Sequence, residues 1–209
     1  MASVNSSRVS SSVALLGGAA AIAMTLAACG SDPATPSAST PSVANVATTV
    51  AETPAAASTC PTAAPDSAAA PEWTLPGATG SVAVTGSTDA TAPNVKVEAP
   101  FSVAETQVKT LQAGNGPVVA DTATVSVCYM GVNGRDGSVF DSSYERGAPV
   151  EFPLDGVVPG FQKAIAGQNV GSTVAVAMTS ADGYPEGQPA AGIQKGDSLI
   201  FAIKILGAS

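Results

Sequence analysis

The chain has 209 residues, only 11% of them charged and 4% aromatic, and its 8 basic and 16 acidic residues leave a net charge of −8. Histidine is absent and no Lys/Arg cluster occurs, which excludes imidazole catalysis and a histidine zinc site and argues against nucleic-acid partners. Ala, Gly, Pro, Ser and Thr crowd the first ninety positions, too few large apolar side chains for a core, so a globular C-terminal half behind a poorly ordered N-terminal half is expected.

In chain order, Arg8 precedes an apolar run from Val13 to Ala28, broken only by Thr25 among small and aliphatic residues. That run is short for a membrane span and suits the h-region of a secretory signal, residues 1–28. It ends in Leu26-Ala27-Ala28-Cys29-Gly30-Ser31, which resembles the bacterial lipobox. The resemblance implies cleavage before Cys29, acylation of that cysteine and anchoring on the extracytoplasmic face of the cell membrane. An ordinary signal peptide with an incidental cysteine is the other reading. Cleavage would leave 7 basic and 16 acidic residues.

Residues 29–71 contain no aromatic side chain and a proline every few positions. Such a segment is expected to stay disordered or polyproline-like, a tether of about 100 Å at full reach. Residues 72–93 form a transitional piece in which Trp73 and the alternating Ser81-Val82-Ala83-Val84-Thr85 predict a short strand packed on the domain.

Residues 94–209 carry the domain pattern. Apolar alternation predicts strands at Thr106–Leu111, Thr124–Cys128, Thr173–Met178 and Ser198–Leu206, with turn signals at Asn133-Gly134 and Asp136-Gly137. Phe161, Ala164 and Ile165 have helical spacing, between Pro159-Gly160 and Gly167. The expected class is therefore α+β, a twisted antiparallel sheet of about five strands around one short helix.

Several motifs in this part stand in register. Tyr129 in Val-Cys-Tyr-Met-Gly, the run Val139-Phe140-Asp141-Ser142-Ser143, Arg146, Pro149, Val157-Val158-Pro159-Gly160-Phe161, Gly171-Ser172, Gly183-Tyr184 and Ser198-Leu199-Ile200-Phe201 follow one another. Together they strongly resemble the FKBP-type peptidyl-prolyl isomerases over roughly Val103 to Leu206. The resemblance implies a proline pocket lined by Tyr129, Phe140, Val157, Val158, Phe161, Tyr184 and Phe201, with Ile193 on the flap above it. It also implies that Phe161 is the floor, that Phe140 and Phe201 are walls, and that the Val158 N–H and the Tyr184 hydroxyl hold substrate carbonyls. Asp141 would lie within reach of Tyr129 and Arg146, shaping the pocket's field without transferring a proton. Phe152, Leu199 and Ile203 read as plain core.

Four positions depart from the family pattern: Val150 for an aromatic, Phe161 for the more usual Trp, and Gln194-Lys195 where many relatives carry Pro-Pro. The last two would loosen the flap around Ile193. If Tyr129 points into the pocket, Cys128 points to the opposite face of its strand. The chain before the domain could cross that face and bring Cys60 to Cys128, so a Cys60–Cys128 disulfide is expected; two unpaired thiols are the alternative.

Rotation about an X-Pro bond breaks no covalent bond, so the implied activity needs no cofactor, metal or imidazole. Implied partners are X-Pro-containing client polypeptides and FK506- or rapamycin-type macrolides. A monomer, touching the membrane through its lipid only, is expected to assist folding of exported or envelope proteins. A second reading keeps the fold as a weakly active or inactive binding module, an adhesin or proline-motif receptor.

Overall fold

The computed structural model describes residues 59–209. Cys29, the expected signal segment and the tether up to residue 58 lie outside the described residues. Among the described residues, nine strands form two sheets packed face to face, accompanied by two short α-helices. The first sheet is three-stranded and antiparallel, built from β1 (Trp73–Pro76), β2 (Thr79–Thr85) and β3 (Asn94–Ser102) in that order. The second is six-stranded. β4 (Gln107–Gln112), β8 (Thr173–Met178), β9 (Leu199–Ala208), β5 (Thr124–Asn133) and β6 (Val139–Ser142) form its path in that spatial order, and β7 (Val150–Pro153) also pairs with β5. Helix α1 (Ser143–Arg146) follows β6, and helix α2 (Pro159–Ile165) lies between β7 and β8.

The large sheet is buried on both faces, and residue size records which face is which. Along β8 and β9, Val174, Val176, Met178, Leu199, Phe201, Ile203 and Ile205 join the core under α2. The intervening Ala175, Ala177, Ile200 and Ala202 pack with Val82, Val84 and Phe101 of the small sheet. Alternation sends successive side chains to opposite faces, and the alanines leave room for the second sheet to approach. This explains why every residue of β8 is buried, although one solvated face is common for an antiparallel sheet.

The region expected as a transitional piece with one strand holds two, β1 and β2. The expected boundary at residue 94 falls at the start of β3, which completes their sheet and so belongs with the segment before it. The expected disulfide is present: Cys60 is only 2% exposed and bonded to Cys128, their Cα atoms 5.7 Å apart, so the segment before residue 71 touches the domain at Cys60. Strand β5 runs past Cys128 to Asn133, because β9 pairs with it from Val125↔Ala208 to Asn133↔Leu199.

Helix α2 begins with Pro159, whose fixed φ and missing N–H suit a first helical position. Its Phe161, Ala164 and Ile165 are buried toward the sheet. Gly160 allows that close approach, since an added Cβ would lie 2.8 Å from Met178 Sδ.

Candidate functional site

Four aromatic rings converge between α2 and the concave face of the large sheet. Phe201 of β9 is the hub: its ring meets Phe161 edge-on at 4.9 Å, Phe140 edge-on at 5.5 Å and Tyr129 at 6.2 Å between centroids. Tyr129 also meets Phe161 edge-on at 5.8 Å. Phe161 and Phe201 are buried, whereas Tyr129 and Phe140 are half-buried, so the cluster has an enclosed base and accessible rims. Gly131 on β5 makes the arrangement possible, because a Cβ there would lie 2.7 Å from Phe140 and 2.8 Å from Phe201.

Val157, Val158 and Tyr184 are half-buried against the same core, and Ile193 is buried within it. Among the described residues the Val158 N–H and the Tyr184 hydroxyl donate to no acceptor. Both remain available as donors, the kind of group that binds a ligand carbonyl. Phe152, read as core from the sequence, packs against this core without being fully enclosed. It is half-buried, and its ring meets Phe161 at 5.5 Å, extending the aromatic cluster beside Val150.

One rim is polar. The Tyr129 hydroxyl donates to Asp141 Oδ2, Arg146 Nη1 donates to Asp141 Oδ1 at 2.5 Å, and Arg146 Nη2 lies 3.4 Å from the Tyr129 oxygen. The guanidinium also sits 5.9 Å from the centre of the Tyr129 ring. Local structure sets this geometry. Ser142 caps α1 by accepting the Glu145 N–H, so Asp141 just before the helix faces Arg146 one turn on. Burial pushes the Tyr129 phenol up to about 12, and its bond to Asp141 adds to the effect. Burial also works against the charge on Asp141, but the bonds from Tyr129 and Arg146 outweigh it and hold the carboxyl below its usual range. The Asp141 and Arg146 side chains are 39% and 48% exposed, so the pair adds orientation more than stability.

Two supporting groups went unread in the sequence. Ser143 is fully buried and bonded to both backbone polar groups of Tyr129. Asp197, with a side chain 7% exposed, gathers Asn133, Arg135 and the Gln194 N–H. Neither was legible, because Tyr129 lies 14 positions from Ser143, and Arg135 and Asn133 lie 62 and 64 positions from Asp197.

An apolar box with unspent donors at its edge and a fixed dipolar wall can grip a small ring while binding flanking carbonyls. The Tyr129 hydroxyl and the Asp141 carboxylate are engaged with each other and with Arg146 at the rim, so the box itself presents apolar surface, which suits a conformational step.

Comparison with known proteins agrees. The family model described as FKBP-type peptidyl-prolyl cis-trans isomerase matches residues 116–206. The chain is 37% identical over 100 residues to the FKBP-type 22 kDa peptidyl-prolyl cis-trans isomerase of Escherichia coli strain K12, covering 48% of each chain. It thus spans about half the length of that relative. It is 34% identical to the probable FK506-binding protein of Corynebacterium glutamicum and 32% identical to the FK506-binding protein of Streptomyces anulatus. The matches cover 46% and 49% of this chain and 80% and 86% of those relatives. Among solved structures, FkpA from Escherichia coli aligns with a TM-score of 0.46 at 31% identity, over 50% of this chain and 48% of that one. With those two FK506-binding relatives covered almost end to end, the chain belongs to the FKBP-type peptidyl-prolyl cis-trans isomerase family.

Proposed function

We propose that this protein is a prolyl isomerase that acts on exported or envelope polypeptides while anchored through Cys29. The observation that carries the reading is the cluster of Tyr129, Phe140, Phe161 and Phe201, flanked by the free Val158 N–H and Tyr184 hydroxyl. Rotation of an X-Pro bond faces a barrier of roughly 20 kcal/mol. At the twisted geometry the imide loses resonance, its carbonyl becomes less dipolar and its nitrogen pyramidal. A dry aromatic box that holds the proline ring, with donors placed for the carbonyls of the turned chain, binds that form better than the planar one. Only such differential binding accelerates the step. Tyr129, Asp141 and Arg146 supply an oriented field at the rim and move no proton.

Family membership and the isomerase names of the Escherichia coli relatives support the activity. The signal-like run ending at Cys29 supports export and lipidation, and the Cys60–Cys128 disulfide supports an oxidising compartment. Among the described residues no helix is long and apolar enough to cross a membrane. FK506- or rapamycin-type macrolides are proposed ligands of the same pocket.

Isomerisation of Leu-Pro peptides by the purified protein tests the activity, with acceleration well beyond the uncatalysed rate expected. Peptide binding without acceleration would leave the binding-module reading. Mass spectrometry of the membrane fraction tests the anchor: an acylated N-terminal Cys29 is expected, and an unmodified mature N-terminus would remove it.

A further inference from the structure

The loop from Gln188 to Gly196 carries Ile193 into the core beside Phe161 and Phe201. Within itself it is closed by the Gln188 N–H to Ile193 O bond at 2.8 Å and the Ile193 N–H to Gln188 O bond at 3.1 Å. It is fastened to the sheet through Asp197. A single oxygen, Asp197 Oδ2, accepts from Asn133 Nδ2 at 2.7 Å, the Gln194 N–H at 2.9 Å and Arg135 Nε at 3.3 Å. Arg135 Nη2 then donates to Gly192 O at 3.1 Å. Asn133 ends β5 and Arg135 sits in the β5–β6 turn, so one nearly buried carboxylate draws the loop and the sheet end together. Removing such an acceptor takes the partner from the Asn133 amide and the Gln194 N–H, while Arg135, 37% exposed and also paired with Asp136, turns to solvent.

At 194–195, where many relatives carry Pro-Pro, the loop therefore gains a backbone bond in place of ring rigidity. A proline at 194 would lack the N–H that Asp197 accepts, so Gln194 is what makes this fastening possible. The Lys195–Glu186 pair is mostly exposed, at 71% and 82%, and contributes little to the hold.

We propose that Asp197, with Asn133 and Arg135, is a positioning latch that fixes this loop and thereby sets the enzyme's preference for the residue before proline. The selecting role rests on the isomerase reading. Ile193 is 2% exposed and belongs to the core on which the half-buried Tyr184 packs, beside Phe161 and Phe201. With a proline ring against those two rings, a preceding residue resting on Tyr184 sits over the place that Ile193 supports, and an apolar side chain suits it. Releasing the latch lets Ile193 shift and flattens that preference.

The test combines residue-resolved amide hydrogen exchange on the full chain with kcat/KM for Leu-Pro, Ala-Pro and Glu-Pro peptides, in wild type, Asp197→Ala and Arg135→Gln. In Asp197→Ala, exchange in residues 188–196 rises by about tenfold or more, while that of Val125–Val132 and Ile200–Ile205 stays unchanged. The preference for Leu over Ala and Glu falls by about fivefold, with KM changing more than kcat. Arg135→Gln, at a partly exposed site, shifts both readouts the same way by less and serves if Asp197→Ala does not fold. Faster exchange across β5 and β9 as well would make Asp197 a general fold residue and overturn the latch. An unchanged peptide preference despite a loosened loop would overturn the selecting role. A wild type without turnover would overturn the isomerase reading and the selecting role with it, while the exchange pattern still decides the latch.

Discussion

Ser143 holds Tyr129 by both of its backbone polar groups: the Tyr129 N–H donates to Ser143 Oγ at 2.8 Å, and that hydroxyl lies 3.3 Å from Tyr129 O. The bonds fill a gap in the sheet. On the β5 edge away from β9, β7 pairs with Thr124 to Val127 and β6 with Met130 to Val132, so Tyr129 lies between them without a strand partner. A buried serine replaces the missing ladder, and Cys60 Sγ, 3.5 Å from the same hydroxyl, packs behind it.

Ser143→Ala therefore costs about 1–3 kcal/mol of stability through unpaired backbone groups, and it lowers kcat/KM by roughly tenfold. If Ser143 acts by placing the Tyr129 phenol, most of the kinetic loss disappears in a Tyr129→Phe background. An equal loss in both backgrounds would assign Ser143 to folding alone.

Gly131 is the second backbone point on which the pocket depends. Gly131→Ala forces apart Phe140 and Phe201, which its new methyl would meet at under 3 Å. About 1–3 kcal/mol of destabilisation is expected from overpacking, together with loss of most isomerase activity. Chemical denaturation and the peptide assay check the two parts separately.

The pH response of the pocket follows from the Tyr129–Asp141 pair. Tyr144 adds on the alkaline side, and Asp136 and Asp182, held low by Ser138 and Lys163, add on the acid side. Asp141 titrates below its ordinary range when folded. Its contribution is present above the unfolded carboxyl value and is lost only as pH falls through the lowered folded one. Tyr129 and Tyr144 are both pushed by burial from 10.0 up to about 12. Their contributions are complete below pH 10.0 and are lost as pH rises toward about 12. Activity and melting temperature are thus expected to be flat from about pH 5 to about pH 9. Asp141→Asn is expected to weaken the dependence on the acid side.

The disulfide spans 68 positions. Reduction, or Cys60→Ser with Cys128→Ser, is expected to lower stability by about 4 kcal/mol through the freed unfolded chain. Denaturant titration with and without reductant measures it. Free-thiol counting on the unreduced protein should find neither Cys60 nor Cys128 reactive.

Much of this was legible in residue patterns. Thr173–Met178 is the strand that its alternation predicts, and Pro159 and Gly160 open the helix that Phe161, Ala164 and Ile165 suggest. What stayed hidden depends on distant contacts. Strand β3 mixes Lys96, Glu98 and Pro100 with few core residues, and it exists as a strand because β2 pairs with it. Ser143 and Asp197 look like ordinary polar residues until the fold brings Tyr129 to one and Asn133, Arg135 and Gln194 to the other. Phe152 lies on β7 on the face opposite the exposed Glu151, and its contact with Phe161 depends on where α2 crosses the sheet.

The central claim is that the aromatic box lowers the barrier to X-Pro rotation, and Phe140→Ala tests it most directly. Phe140 is half-buried at the rim, so the variant is expected to stay folded. In a Leu-Pro exchange assay the wild-type protein should accelerate isomerisation strongly, and Phe140→Ala should lose about tenfold or more of that acceleration. No acceleration by the wild type, or an undiminished rate in folded Phe140→Ala, would contradict the account.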